Sequence, residues 1–486
     1  KKKIVLCHGV FDLLHFGHLE HFKEAKQKGD ILIVSITPDR FVNKGPGRPA
    51  FNENLRALSL SEIESVDYVA INTTHSASNV IRKLRPNYYC KGPDYKIFKN
   101  DITNEIKNEA KEIRRIGGKI LFTSGRTFSS SKLINNKSLL NQEKKNLSLI
   151  KIRKDYNFEK ISKIFDKIKK LKILVIGEII IDRYVFCEAL GKSGKEPVLV
   201  LRDKSSEEYL GGSAAIVRHI SNFVNKISLL SMIGDKNEHL GKIKQLIPKN
   251  VKLNLLKKKN SPTIVKTRFV DSINFNKVLG VYKINDELLD KKQEKKQITF
   301  LKNNLSKFDM VIVSDYGHGF ITKSISKLIC RKSKFLALNA QVNAANIGYH
   351  SMRNYKNLSC AIINQRELEM EFREKSKNLN DLIKKLSFKN NIQNLIVTRG
   401  SNGAILYDKK NNKFFSFPAL ANKVTDKIGA GDAFLSLASI FLNIKEKKLL
   451  ALLIGSLAAA QSTEDIGNKN AISKINILKS LDHMLR

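Results

Sequence analysis

Short apolar runs of strand length alternate with helical patterns along nearly the whole chain, and that alternation with short loops dictates layered α/β architecture built on parallel sheets. From Ile4 to about Lys137 the runs IVLCHGVF, ILIVSIT and DYVAIN are interleaved with LEHFKEAKQKG and NENLRALSLSEI. The pattern resumes at LKILVIGEIIIDRYV and continues through VIVSDYG, FLALNA, CAIIN and NLIVTRG. At 486 residues the chain exceeds a single core. The expected division is a first domain over 1–137, a linker with a docking helix over 138–170, and a second domain over 171–486. In the linker Phe158, Ile161, Phe165 and Ile168 recur at helical spacing.

Several classes are excluded at this level. No apolar run reaches the ~18 to 20 residues of a membrane span, and ALLIGSLAAA from Ala451 is the length of a core helix. The basic start leads straight into a strand rather than an apolar signal region, so no signal peptide is expected. Cys7, Cys90, Cys187, Cys330 and Cys360 are far apart with no CxxC pair, which argues against a zinc site or a disulfide framework and for a reducing, cytoplasmic location. The net charge of +41, from 87 Lys plus Arg against 46 Asp plus Glu, favours anionic partners. Its lysines are spread over ordinary helix faces such as EKISKIFDKIKKLK. The reading is therefore a diffuse basic surface, with phosphorylated metabolites as partners and no dedicated nucleic-acid module.

Two short stretches carry chemistry. In HGVFDLLHFGHLEHFKEAK, Gly9 ends a strand and a helix is expected to begin near Gly17 or His18, so free N–H groups converge where a phosphate could sit. Gly9 and Gly17 would let a nucleotide approach the backbone. His15 and His18 offer imidazole donors to a phosphorus centre gaining charge, which suits nucleotidyl transfer. The alternative is two surface histidines near a helix start. Near the C-terminus, VTDKIGAGDAFLSLASIFL sets Gly429, Ala430 and Gly431 ahead of an apolar helix as an anion cradle, with Asp432 placed to take a proton from a hydroxyl. Here the alternative is a Gly-rich helix cap.

The surroundings of the first stretch narrow the choice. NKGPGRP supplies Lys44 and Arg48, NENLRAL contains Arg56, CKGPDY contains Lys91 and Asp94, and RTFSSSKLI places Ser129, Ser130 and Ser131 at a helix start. In this order, over residues 4–136, the chain resembles the cytidylyltransferase-like nucleotidyltransferases, and within them those of ADP-heptose synthesis. The resemblance implies a Rossmann-type fold in which His15 and His18 stabilise the transition state and Lys44 neutralises triphosphate charge. It implies that Gly9, Phe11, Gly17, Arg48 and the three serines bind nucleotide, and that Arg56, Lys91 and Asp94 face the second substrate. A lysine-rich stretch, FKNDITNEIKNEAKEIRR, is longer than that family leads one to expect.

The second stretch also has company. LGGSAAIVRHI carries Gly211 and Gly212, SDYGHG carries Asp315, INQRELEM carries Asn364 and Glu367, and VTRGSNGAILYD carries Thr398, Gly400 and Gly403. Residues 171–485 resemble the ribokinase-like sugar kinases, and DRYVFCEALGKSGKEPV and SDYGHGFIT look most like the heptose-phosphate members. The resemblance implies that Asp432 is the base and residues 429–431 the anion hole. Asn364 and Glu367 would organise Mg²⁺ and phosphate, and Thr398, Gly400 and Gly403 would border ATP. Asp182 would bind sugar hydroxyls, with Gly211, Gly212 and Asp315 on the substrate side. Four features depart from the pattern: Glu178 in place of aspartate, Ala215 in place of an amide side chain, Lys427 in place of a small hydroxyl residue, and the segment LALNAQVNAANIGYHSMRNYKNLS in place of an aspartate-proline motif. Together the two resemblances imply a bifunctional sugar kinase and nucleotidyltransferase with the nucleotidyltransferase first, the reverse of the expected order. Its implied cofactors are Mg·ATP, with ATP or CTP at the nucleotidyl step, and its implied partners are a sugar phosphate and a nucleoside triphosphate. Another polyol phosphate as substrate, a non-catalytic role for one unit and a homo-oligomer are left open.

Overall fold

The computed structural model describes residues 2–42, 48–92, 105–124, 139–343, 345–347, 349–374, 378–421 and 424–485. They fall into two compact units, Lys1–Asn146 with Ile475–Arg486, and Leu147–Lys474.

The first unit is built on five parallel strands, β1 (Ile4–Gly9), β2 (Ile31–Ile36), β3 (Tyr68–Ile71), β4 (Tyr88–Lys91) and β5 (Lys119–Phe122), in the order β3-β2-β1-β4-β5. Val5, Leu6 and Cys7 expose no surface, because a central parallel strand is covered on both faces. Strand order reverses at β1, so the loops leaving β1 and β4 diverge and open a crevice at the carboxyl edge of the sheet. The helix Phe16–Lys26 starts at that edge with His15 as its N-cap, slightly earlier than the glycine led us to expect. The same register sets Cys7 opposite Cys90 on β4, two thiols that are remote in sequence.

Among the described residues, thirteen strands make up two sheets in the second unit: β6 (Lys172–Gly177), β7 (Ile179–Lys192), β8 (Leu199–Gly212), β9 (Lys226–Gly234), β10 (Val251–Lys258), β11 (Val265–Asp271), β12 (Lys277–Lys283), β13 (Met310–Asp315), β14 (Leu336–Ala340), β15 (Leu358–Asn364), β16 (Ile392–Thr398), β17 (Ala404–Asp408) and β18 (Lys413–Phe417). The large sheet has the order β10-β9-β6-β13-β14-β15-β16-β17-β18, parallel as far as β16 and antiparallel beyond it. A smaller sheet, β12-β11-β7-β8, mixes parallel and antiparallel pairs. β12 is exposed throughout and β8 over most of its length, so these two strands lack the continuous apolar run that marks the large sheet.

Helices Ala430–Asn443 and Lys448–Ser462 are apolar on nearly every side and lie inside the unit. Among the described residues no helix is long and apolar enough to cross a membrane. The helix Phe158–Lys169, capped by the Asn157 side chain accepting from Lys160 N–H, buries Ile161, Ile164, Phe165 and Ile168 in this unit. The Phe165 ring lies 5.8 Å from that of Phe223 and 5.5 Å from that of Phe441. Phe165→Ala is therefore expected to destabilise the second unit by about 3 to 5 kcal/mol, measured by denaturant unfolding, whereas a change at half-buried Phe158 should have a smaller effect.

Candidate active sites

In the first unit the backbone places both histidines at one helix mouth. His15 has extended backbone at the N-cap and its carbonyl accepts from His18 N–H at 2.8 Å, so the two residues sit one above the other at the first turn. Their rings stack with centroids 3.8 Å apart, and the Phe11 ring meets His18 edge-on at 5.4 Å. Gly17 is the second residue of the helix. The histidine pair therefore occupies the carboxyl edge of β1, at the crevice that the strand order opens.

Other residues picked from the sequence behave differently. A Cβ at Gly9 would stand 2.9 Å from the Phe11 ring, so the space that glycine leaves is filled by that ring rather than held open for a nucleotide. Phe11 adopts a left-handed φ of 46° to reach it. Arg56 is no substrate ligand: its guanidinium is wholly buried and donates to the carbonyls of Val10, Thr37 and Phe51 and to Asp39 Oδ1, at 2.5 to 3.0 Å. Lys91 ends β4, but its ammonium is buried, donating to the His8 carbonyl at 3.3 Å and facing Glu109 at 3.4 Å, so it ties strands together rather than reaching for a substrate. Burial and this lysine drive His8 down to about 4, and the same two causes drive His21 down to about 4. Arg48 Nε bonds Asp12 Oδ2 at 2.5 Å, while Asp12 Oδ1 accepts from Ala50 and Phe51 N–H. Asp12 thus ties Arg48, Ala50 and Phe51 together, a role that the glycines and histidines around it in the sequence do not signal. Lys44, Asp94, Ser129, Ser130 and Ser131 lie outside the described residues.

In the second unit the carboxyl ends of β13 to β16 line up along one edge, where Asn364 pairs in register with Thr398. At this edge the helix Ala430–Asn443 begins. Its N-cap Gly429 holds φ at 84°, and a Cβ there would stand 2.0 Å from Asn468 Oδ1. The amides of its first turn have no acceptor within the helix, which makes an anion cradle. Asp432, in that first turn, is buried. The Tyr316 hydroxyl donates to Asp432 Oδ2 at 2.7 Å, and Oδ1 has no hydrogen-bond partner among the described residues. Asp182, Glu367 and Lys266 all act electrostatically on this carboxyl, so the smaller sheet contributes to the same site. Arg268 Nη1 donates to Asp182 Oδ1 at 2.6 Å.

The remaining candidates divide. Asn364 and Glu367 form a reciprocal capping box at the start of the helix Gln365–Phe372, each accepting the other's backbone N–H. Gly211 makes room for the Asp182 carboxylate, whose Oδ2 would be 2.0 Å from a Cβ, and Gly212 for the Glu178 carbonyl, so both serve the chain's own packing. Both oxygens of Asp315 are engaged within the chain, Oδ1 accepting from Gly317 N–H at 3.0 Å and Oδ2 from the Tyr355 hydroxyl at 2.6 Å. Gly400 borders open space at φ 56°, whereas Gly403 packs tightly on the Phe417 carbonyl. Ala430 and Gly431 open the helix, Ala215 is fully buried, and Lys427 is exposed. Just before the cradle, Asp426 receives Lys277 Nζ at 2.5 Å and the Tyr184 hydroxyl at 2.7 Å, both from the smaller sheet; the sequence reading passed over it within VTDKIGAGD. A separate cavity of about 860 Å³, lined by Tyr156, Asn394, Phe414 and Lys448, contains none of the candidates.

Burial raises the Asp432 carboxyl to about 7, the tyrosine hydrogen bond opposing the rise while Asp182 and Glu367 add to it. A carboxyl that holds its proton more tightly when folded contributes stability that is full below the unfolded value near 4 and is lost as pH rises through about 7. Asp432→Asn should accordingly raise stability at pH 8 by on the order of 3 kcal/mol and leave it nearly unchanged at pH 4, measured by denaturant unfolding at the two pH values.

Residues 170–475 match the family model described as pfkB family carbohydrate kinase, and residues 6–154 match the one described as cytidylyltransferase-like. "Bifunctional protein HldE" of Campylobacter curvus is 29% identical over 314 residues, which cover 62% of this chain and 64% of that protein. The protein of the same name from Aliarcobacter butzleri is 38% identical over 120 residues, 24% of this chain and 25% of the relative. The chain therefore spans less than two thirds of the length of these relatives. The fold is shared with phosphofructokinase-2 from Escherichia coli solved in complex with substrates and products, at a TM-score of 0.54 and 14% identity over 65% of this chain and 100% of that one. With the carbohydrate-kinase match running through well over half of the sequence and including the Asp432 helix mouth, the chain belongs to the pfkB family of carbohydrate kinases and carries a cytidylyltransferase-like region ahead of it.

Proposed function

We propose that the chain is a bifunctional enzyme whose second unit phosphorylates a sugar phosphate with Mg·ATP and whose first unit joins a sugar phosphate to a nucleotide, releasing pyrophosphate. The observation that carries the kinase reading is the buried Asp432 carboxyl at an anion-binding helix mouth, with one oxygen held by a tyrosine and the other without a partner among the described residues. In this reading the substrate O–H proton passes to Asp432 Oδ1 as its oxygen bonds to the γ-phosphorus. The bond from that phosphorus to the bridging oxygen breaks, and ADP leaves. The first-turn amides of residues 429–431 hold the transferring phosphoryl oxygens, and Asp182, braced by Arg268, binds sugar hydroxyls. Asn364, Thr398 and Gly400 border the nucleotide along the strand edge. Mg²⁺ bound with ATP would neutralise phosphate charge, and the family resemblance assigns Asn364 and the buried Glu367 carboxylate to hold it.

In the first unit the stacked imidazoles of His15 and His18 donate to the α-phosphate oxygens as a sugar phosphate oxygen attacks and pyrophosphate departs. Lys44 and the serines 129–131 are assigned the triphosphate from the family resemblance. The sugar is proposed to be heptose-like on the strength of DRYVFCEALGKSGKEPV and SDYGHGFIT, and the product to be a nucleotide-activated sugar for cell-surface glycan. A cytoplasmic location follows from this reading and accords with five free thiols.

The test is phosphorus NMR of the purified chain with Mg²⁺, ATP or CTP, and a panel of sugar phosphates. Asp432→Asn is expected to lower phosphorylation by about 10² to 10⁴ while leaving pyrophosphate release intact. His18→Ala should lower pyrophosphate release by about 10² or more and spare the kinase. Wild-type rates in either variant would sink the corresponding half of the proposal.

A further inference from the structure

We propose that Tyr316 is the positioning residue of the kinase site, its hydroxyl holding one oxygen of Asp432 so that the other is aimed at the acceptor hydroxyl. The inference rests on the kinase reading for what Asp432 does, and on geometry alone for what Tyr316 does to Asp432.

The peptide units on both sides of Tyr316 are held by buried groups. Glu178 Oε2 accepts from Tyr316 N–H at 3.0 Å and Glu178 Oε1 from His318 N–H at 3.1 Å. The Tyr316 carbonyl accepts from Asn343 Nδ2 at 2.8 Å and from Asn346 Nδ2 at 2.7 Å. One residue earlier, the Asp315 carbonyl lies 3.1 Å from His350 Nε2 and its carboxylate takes the Tyr355 hydroxyl. Immediately after Tyr316 the chain turns through Gly317 at φ 70°. A Cβ there would stand 2.6 Å from Asn346 Nδ2, so the turn leaves that asparagine its place.

A tyrosine that only filled space would need none of these anchors. Glu178, buried and raised by its desolvation and by Asp315, is costly to keep and has the Tyr316 turn as its hydrogen-bonded load. Glu178 and the segment 336–359, which holds Asn343, Asn346, His350 and Tyr355, are also places where this chain departs from the sugar-kinase pattern. Two departures that are unrelated in sequence thus converge on one side chain and, through it, on the base.

Charged or titratable groups facing the pair come from every neighbouring element: Asp182 from β7, Lys266 from β11 and Glu367 from the helix Gln365–Phe372. Lys266 Nζ lies 5.4 Å from the Tyr316 ring centroid. All three remain in a Tyr316→Phe variant, which deletes only the hydroxyl.

The experiment follows the Asp432 side-chain carboxyl directly, by carbon NMR of the full chain labelled with ¹³C at aspartate carboxyls, the resonance being assigned by its loss in Asp432→Asn. Removing a hydrogen bond donated to the charged form should move the Asp432 midpoint up by about one to two pH units in Tyr316→Phe. Asn346→Ala, which loosens the tyrosine without touching the hydroxyl, should move it in the same direction by less. Where the wild type phosphorylates a sugar phosphate, the acidic limb of kcat should shift with the midpoint, kcat should fall about tenfold or more, and KM for ATP should stay within about twofold. An unchanged midpoint in Tyr316→Phe overturns the proposal, and if that variant does not fold, an unchanged midpoint in Asn346→Ala does so. A shifted midpoint in a chain that transfers no phosphoryl group would uphold Tyr316 and overturn the kinase reading instead.

Discussion

Backbone N–H groups left over in the first turn of a helix are what both halves of the molecule are arranged around. Each unit spends a parallel sheet, buried on both faces, to bring one such turn to its carboxyl edge. Each then sets one or two proton-bearing side chains within the same turn, His15 and His18 in one case and Asp432 in the other. The sheets fix where the turn points, and the side chains fix what chemistry can follow. The same physical device thus appears twice, with two imidazoles at one helix mouth and a buried carboxyl at the other.

The second site is held together at a cost. Asp432 and Glu178 are buried carboxyls, and each would be more cheaply replaced by an uncharged group as far as folding is concerned. Their partners show what the cost secures. Glu178 spends both oxygens on successive backbone amides of the SDYGHG turn, and the turn delivers a tyrosine hydroxyl to Asp432. Structural hydrogen bonding and the poise of the base are therefore one network rather than two.

Much of this was legible in the sequence. Alternating apolar and helical runs gave the layering, and the HxGH and GAGD stretches marked both helix mouths because glycine and small residues at a strand end have few other uses. What escaped were features set by long-range register. Cys7 and Cys90 look remote until β1 pairs with β4. Arg56 and Asp315 are implied as substrate-side residues by the resemblances, and both engage carbonyls, amides or hydroxyls of the chain's own segments, contacts that no local pattern shows. Gly9 suggests open space for a nucleotide, whereas the chain fills that space with the Phe11 ring, and Gly211 and Gly212 make room for the Asp182 carboxylate and the Glu178 carbonyl. Tyr316 stands within the SDYGHG stretch, but a tyrosine after a buried strand is ordinarily core and its hydroxyl is not marked by that stretch. Only the asparagine-rich segment downstream hinted at it, and it could be read only as a departure.

Asp426 joins elements that the topology otherwise keeps apart. Its carboxylate, held below the usual range chiefly by the Lys277 and Tyr184 side chains against the penalty of burial, receives those two groups from the smaller sheet while also accepting the backbone N–H groups of Ile428 and Gly467 beside the cradle. Prising the sheets apart would strand an anion away from water with neither its cation nor its phenol. The join between the smaller sheet and the cradle is thus an electrostatic latch, and its grip depends on the ionic strength of the surrounding solution to the extent that the half-exposed lysine is screened.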